Sequence, residues 1–132
     1  MKIEELKDAP QWLLDAETKD ADVEIIDGIV HWYDGVWKDG TWEGGVWHYG
    51  FFEGGTWEDG IWRIGIWEYG TWKNGVWFNG EWNFGAWLNG YWLDGVWEAG
   101  HWFGGLWYGG VWEKGYKRNN KLLPSDTPPV NN

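Results

Sequence analysis

A tryptophan recurs every fifth residue from Trp32 to Trp112, with Phe52 filling the one gap, and a glycine follows each of these positions by three residues, from Gly35 to Gly115. The unit is x-Trp-x-x-Gly, as in Thr56-Trp57-Glu58-Asp59-Gly60. A period held this strictly marks a repeat array, in which each unit buries its apolar side only against its neighbours. Arrays offer repeated surfaces rather than one irregular pocket, which argues against an enzyme. Scattered through a chain of 132 residues, 22 glycines would favour disorder. Interleaved with the largest apolar side chain, they belong to a pattern that buries surface.

Five residues with a glycine in every unit are too few for a helical repeat and suit a short strand followed by a bend. The residue before Trp is mostly Val, Ile or Thr, which favours strands. A spacing of fifteen sorts the variable positions best. It places Thr41, Thr56 and Thr71 in one column, and Lys38, Glu53, Glu68, Asn83, Glu98 and Glu113 in a polar one. Gly44, Asp59, Asn74, Asn89 and Gly104 then form a column of turn formers, and Val46, Ile61, Val76, Tyr91 and Leu106 an apolar one. The expected fold is all-β: a single-chain, three-sided β-solenoid of about fifteen residues per coil, with five to six coils spaced by roughly 4.8 Å.

Side chains alternate along a strand, so Trp points one way and both its neighbours the other. The neighbours include Glu53, Arg63 and Glu98, which require water. Trp therefore faces the axis, and glycine at each corner leaves it room. Inward indoles gain ring contacts, and each N–H needs a partner, for which a corner carbonyl is suited. The ends of such an array need covers. Residues 1–28 read as an N-terminal cap with a helix at about 10–16, started by Pro10 and followed by the weak alternation Val23-Glu24-Ile25-Ile26 and the turn signal Asp27-Gly28. The array itself spans 29–115. Residues 116–132 read as an extended, Pro-rich tail that needs something to hold it, such as a neighbouring chain.

Gly75-Val76-Trp77 resembles the register of pentapeptide-repeat proteins, whose four-sided β-helix points a small and a large residue inward. Gly70-Thr71-Trp72-Lys73-Asn74-Gly75 is similar to part of a MORN repeat, which implies an antiparallel sheet. Both stand as alternative architectures. Tyr49, Ile64, Tyr69 and Phe84 at the turn position argue against a tight hairpin at every step. Over most of its length, through Ala9-Pro10-Gln11-Trp12-Leu13, Ala21-Asp22-Val23-Glu24-Ile25 and the Gly-x-Trp string, the chain resembles small Trp-rich repeat proteins of tailed phages and some bacteria. That resemblance implies a phage setting.

The net charge of −11 disfavours nucleic acid as a partner. There is no Cys, hence no thiolate metal site, and no apolar run long enough to span a membrane. The first ten residues lack a secretory signal, so synthesis in the cytoplasm is expected. His31, His48 and His101 have no ligand spacing, although His31 and His48 fall on adjacent coils near Asp34 and Glu43. No Ser or Cys nucleophile lies in the array, Glu53 and Glu68 face no cleft, and the glycines are spaced for corners rather than for a phosphate loop. No cofactor, metal or catalytic residue is expected.

The residue after Trp is polar early in the array and apolar later. Phe78, Leu93 and Tyr108 share one column beside Tyr91, while Leu88 and Phe103 stack on the adjacent side. An exposed apolar surface of this kind marks a protein-binding site. The expected function is a non-enzymatic structural or interaction protein, a virion component or phage accessory protein, binding a virion or host protein or itself. Alternatives are an acidic DNA mimic that occupies a host nucleic-acid enzyme through Glu53, Glu68, Glu98 and Glu113, and a carbohydrate-binding module using Tyr91, Phe103 and Tyr108.

Overall fold

A computed structural model describes residues 1–129, and they form a three-sided β-solenoid of about six coils. Fifteen two-residue strands, β3 (Thr41–Trp42) to β17 (Val111–Trp112), recur every five residues. Each pairs in parallel with the strand fifteen residues away: Val76 stands beside both Ile61 and Tyr91, and Thr71 beside both Thr56 and Ala86. Fifteen residues per coil with parallel pairing excludes both the four-sided helix and the antiparallel sheet. The first face carries Val46, Ile61, Val76, Tyr91 and Leu106 before its tryptophans; the second carries Phe51, Ile66, Glu81, Val96 and Val111; the third carries Thr41, Thr56, Thr71, Ala86 and His101.

Two hydrogen bonds per pentad climb from coil to coil. The N–H before each Trp donates to a glycine carbonyl below (Val76 N to Gly60 O, 3.0 Å), and the N–H after it donates to a Trp carbonyl (Phe78 N to Trp62 O, 2.8 Å). The glycine is required twice over. Gly60 sits at φ +130°, and a Cβ on it would stand 2.6 Å from Gly45 O. Any other residue would be strained by its φ and would break the ladder by contact.

All sixteen array tryptophans are buried. Within a column they stack in parallel: Trp62 and Trp77 are 4.7 Å apart at 5°. Between columns they meet edge to face, as Trp72 and Trp77 do at 5.9 Å and 73°. Each coil is thus a pinwheel of three indoles, which lets so much ring volume fit a triangular section without face-to-face crowding. Phe52 leaves a wider gap to Trp37 (6.0 Å) and sits close on Trp67 (4.1 Å). Indole N–H groups reach corner carbonyls of the next coil, as in Trp62 to Asn79 O and Trp77 to Asp94 O, both 3.1 Å. Eight others, from Trp32 to Trp87, are buried with no partner in hydrogen-bonding geometry among the described residues.

The N-terminal end is closed by β1 (Glu17–Ile26), which runs antiparallel to β2 (Ile29–Asp39). Asp27 and Gly28 join them with φ of +51° and +79°, the left-handed pair that a two-residue hairpin demands. β2 is long enough to turn from the first face onto the second, so β1 covers the edges of both. Helix α1 (Gln11–Asp15) lies over the third face; Leu13 is buried, and Trp12 meets Trp42 edge-on at 5.1 Å. The helix agrees with the expected 10–16, whereas β1 reaches six residues further back than the Val23–Ile26 alternation indicates.

At the other end Lys117 takes the register place of an indole, paired with Trp102, and Asn120 at φ +61° takes that of a glycine. With no apolar side chain to continue the column, the chain reverses. β19 (Leu122–Leu123) pairs antiparallel with β18 (Gly115–Lys117). Leu123 is buried and accepts from Trp112 Nε1 at 3.1 Å, while Asp126 N donates to Trp112 O at 2.9 Å. The tail is therefore held by its own last coil. Residues 130–132, included in the expectation of an ordered tail, lie outside the described residues.

Candidate functional site

Parallel register fixes what stands beside what on the outside. In the C-terminal half of the first face, Phe78, Leu93 and Tyr108 follow the tryptophans of three successive coils, with Tyr91 on the preceding column. Leu88 and Phe103 occupy the equivalent places on the third face. The two faces meet at a corner of Asn74, Asn89 and Gly104, so the six apolar residues form one band that runs from the third face round this corner and across the first. Phe78, Leu88, Tyr91 and Tyr108 are exposed (41, 38, 47 and 59%); Leu93 and Phe103 are half-buried. Neither cap covers the strip.

The rings on the outside lean on one another along the solenoid axis. Tyr91 and Tyr108 stack at 6.3 Å and 27°. His101 stands between Phe103 (5.9 Å) and Tyr116 (5.1 Å), extending the strip onto the last coil. Tyr116 lies fifteen residues after His101, so the coil period alone contains that signal. Where the strip begins, the Arg63 guanidinium lies over the Phe78 ring at 5.5 Å, a cation–π contact that marks its polar boundary. A second ridge, Tyr69 stacked on Phe84 at 5.8 Å, runs along the corner between the second and third faces.

The N-terminal half of the first face is polar. His31 Nδ1 and His48 Nε2 are 3.0 Å apart, with ring centroids at 5.3 Å and an interplanar angle of 22°. The two distances differ by about two ring radii, so the imidazoles meet edge to edge in a shared hydrogen bond. One ring must be neutral to accept it. Burial, the His31 charge and the Arg63 guanidinium, in that order, lower the pKa of His48. Tyr33 packs on His48 at 4.9 Å and donates to Glu24 Oε1 at 3.3 Å; burial and the Glu24 carboxylate raise its pKa. Asp34 and Glu43 do not join the pair, and among the described residues no three His, Asp or Glu side chains converge as metal ligands.

On the second face Glu53 and Glu68 stand on adjacent coils, followed by Asn83, Glu98 and Glu113 in the same column. All four carboxylates are exposed, and none forms an ion pair among the described residues; the one side-chain pair on the array joins Lys73 to Glu58 at 3.2 Å, on the third face. No protein family, curated protein or solved structure matches the chain.

Proposed function

We propose that this chain is a non-enzymatic interaction protein, a rigid solenoid that presents the Phe78–Tyr108 strip to a protein partner. The observation that carries this reading is the change of chemistry along single columns. The same register positions that hold His48, Arg63, Glu58 and Lys73 in the early coils hold Phe78, Tyr108, Leu88 and Phe103 in the later ones, at no cost to the core. A solvated outer face has no need of large apolar groups, and their clustering on one edge is what a partner contact requires. The resemblance to Trp-rich phage proteins supports a phage particle as the setting. A photo-crosslinking residue at Leu88, compared with one at Glu53, tests the proposal in cells that produce the protein. Capture of one discrete protein from Leu88 and not from Glu53 is expected. Equal or absent capture from both positions overturns it.

A second reading rests on the acidic column of the second face. Carboxylates repeated along a straight edge imitate a phosphate backbone, and a nucleic-acid enzyme is the partner that would recognise them. Under this reading, neutralising Glu53, Glu68, Glu98 and Glu113 to Gln abolishes a salt-sensitive complex, and Leu88→Ser leaves it intact. The strip proposal expects the reverse.

A further inference from the structure

The two ends of the solenoid differ in charge and shape. Residues 1–30 hold nine acids against three bases, whereas residues 114–129 hold four bases against one acid. Of the nine acids, Asp22 alone forms an ion pair among the described residues, with the Met1 amino group at 2.6 Å. Lys114, Arg118 and Lys121 are exposed, and none forms an ion pair among the described residues.

The acidic end carries a groove of about 680 Å³ between the cap and the first coil. Trp12, Ile25, Ile29 and Val30 are its large apolar lining residues; Asp8 and Glu43 also line it, with Lys7 as the one base. Gly44 and Gly45, on the corner between the third and first faces, line it as well. The basic end carries a projection. The turn from β18 to β19 is fixed by Lys117 N donating to Lys121 O (2.8 Å) and Asn120 N donating to Lys117 O (2.9 Å). It presents Arg118 and Lys121, and Leu122, 52% exposed, follows it opposite Tyr116 on the third face. In the fifteen-residue register Asn119 and Asn120 continue the column of Gly44 and Gly45, so groove and projection lie on the same corner at opposite ends.

From this geometry we infer that the chain associates head to tail with further copies of itself, the Arg118–Lys121 turn of one copy seated in the Trp12–Ile29 groove of the next with Arg118 and Lys121 facing Asp8 and Glu43. Copies stacked face for face bring the two features together without rotation about the axis. The contact is made by side chains rather than by adding a strand, because the outer edge of β1 is charged (Lys19, Asp20, Asp22, Glu24) and its register is broken at Lys19–Asp22. The interface joins unlike surfaces, so it leaves a free head and a free tail at every step and grows open filaments. It involves none of the six strip residues, and its success or failure leaves the lateral partner site untouched.

Sedimentation velocity on the full chain tests this, with two exposed-residue variants: Arg118→Gln/Lys121→Gln at the tail and Ile29→Lys/Glu43→Lys at the head. At low salt, where the screening length is ~30 Å, the average mass of the wild type rises with concentration and passes the dimer; in 1 M salt, where it is ~3 Å, the larger species are lost. Each variant alone is a monomer with an unchanged unfolding midpoint. Mixed in equal amounts, they form one dimer and stop, since one intact head and one intact tail remain. A wild type that stays monomeric at low salt overturns the inference. So does a plateau at the dimer that the head variant does not disturb, which would mean tail-to-tail pairing, or a mixture of folded variants that fails to pair.

Discussion

At the scale of the residue, glycine and tryptophan hold complementary places, and substitutions there have separable costs. Gly75 has φ +128° and lies against Gly60 O, with no room for a Cβ. Gly75→Val is expected to lose about 2–4 kcal/mol in denaturant unfolding followed by indole emission, combining backbone strain and contact. Trp72→Ala removes a ring stacked on both Trp57 and Trp87 at 4.8 and 4.7 Å and should cost roughly 3–5 kcal/mol. Glu68→Ala, outside and unpaired, should change stability by less than about 0.5 kcal/mol. Should the outer substitution unfold the protein while the inner one is tolerated, the facing of the array is wrong. His48 adds a dependence on pH. Its lowered pKa means that the folded state favours the neutral ring, so its contribution is complete above about pH 6.5 and lost as the pH falls through the lower folded value. Protonation of His48 is opposed by its burial and by the charges of His31 and Arg63. As the pH falls below about 6.5 the wild type should therefore lose more stability than His48→Gln, measured by unfolding midpoints at each pH. Equal losses would remove His48 as the cause.

At the scale of the element, the end covers decide where the array stops. Leu123→Asp should open the last coil, seen as faster amide exchange at Tyr116 and Asp126 with the central coils still protected, because the ends of a solenoid unfold locally. Loss of protection throughout would show one indivisible unit instead. The elements also divide by how far the sequence betrays them. Coil period, face assignment and inward indoles are legible because every pentad repeats the same physical demand, and Thr41, Thr56 and Thr71 betray the count of three sides. The His31–His48 contact is legible too, as one coil plus the two residues across a Trp. β1 is not, since Glu17-Thr18-Lys19-Asp20 shows no alternation; it is a strand because β2 offers an edge to pair with. The tail's fold-back is equally hidden, because its holding points are the backbone carbonyl and indole of Trp112. The strip's six residues are readable as a pattern, but their boundary at Arg63 and the stacking of Tyr91 on Tyr108 depend on ring orientation, which no spacing specifies.

At the scale of the whole molecule, a core built from one repeated unit should be indifferent to how many units it has. Removing residues 56–60 deletes one pentad and brings Gly55 next to Ile61, so every later Trp still finds an inward seat. The shortened chain should fold with a single unfolding transition, and the strip should turn by a third of a circle relative to the N-terminal cap. Removing only 56–59 leaves Gly60 in the place before Ile61 and puts every later residue out of phase with the coil before it; that chain should fail to fold. Calorimetry on the two proteins distinguishes these outcomes, and similar behaviour of both would deny the pentad its role as the unit of stability. The parallel indole columns have a further consequence, for light rather than for strength. Indole rings held at 4.7–5.1 Å, with planes within 10° of parallel, couple their transition dipoles along a column, and the edge-on pairs couple the three columns to one another. Excitation absorbed by one ring spreads through the shaft before it is emitted, and polarised emission loses the memory of the absorbing ring. The far-ultraviolet circular dichroism of this protein will accordingly be shaped by its coupled chromophores as well as by its peptide bonds, and will follow the order of its interior rather than its strand content.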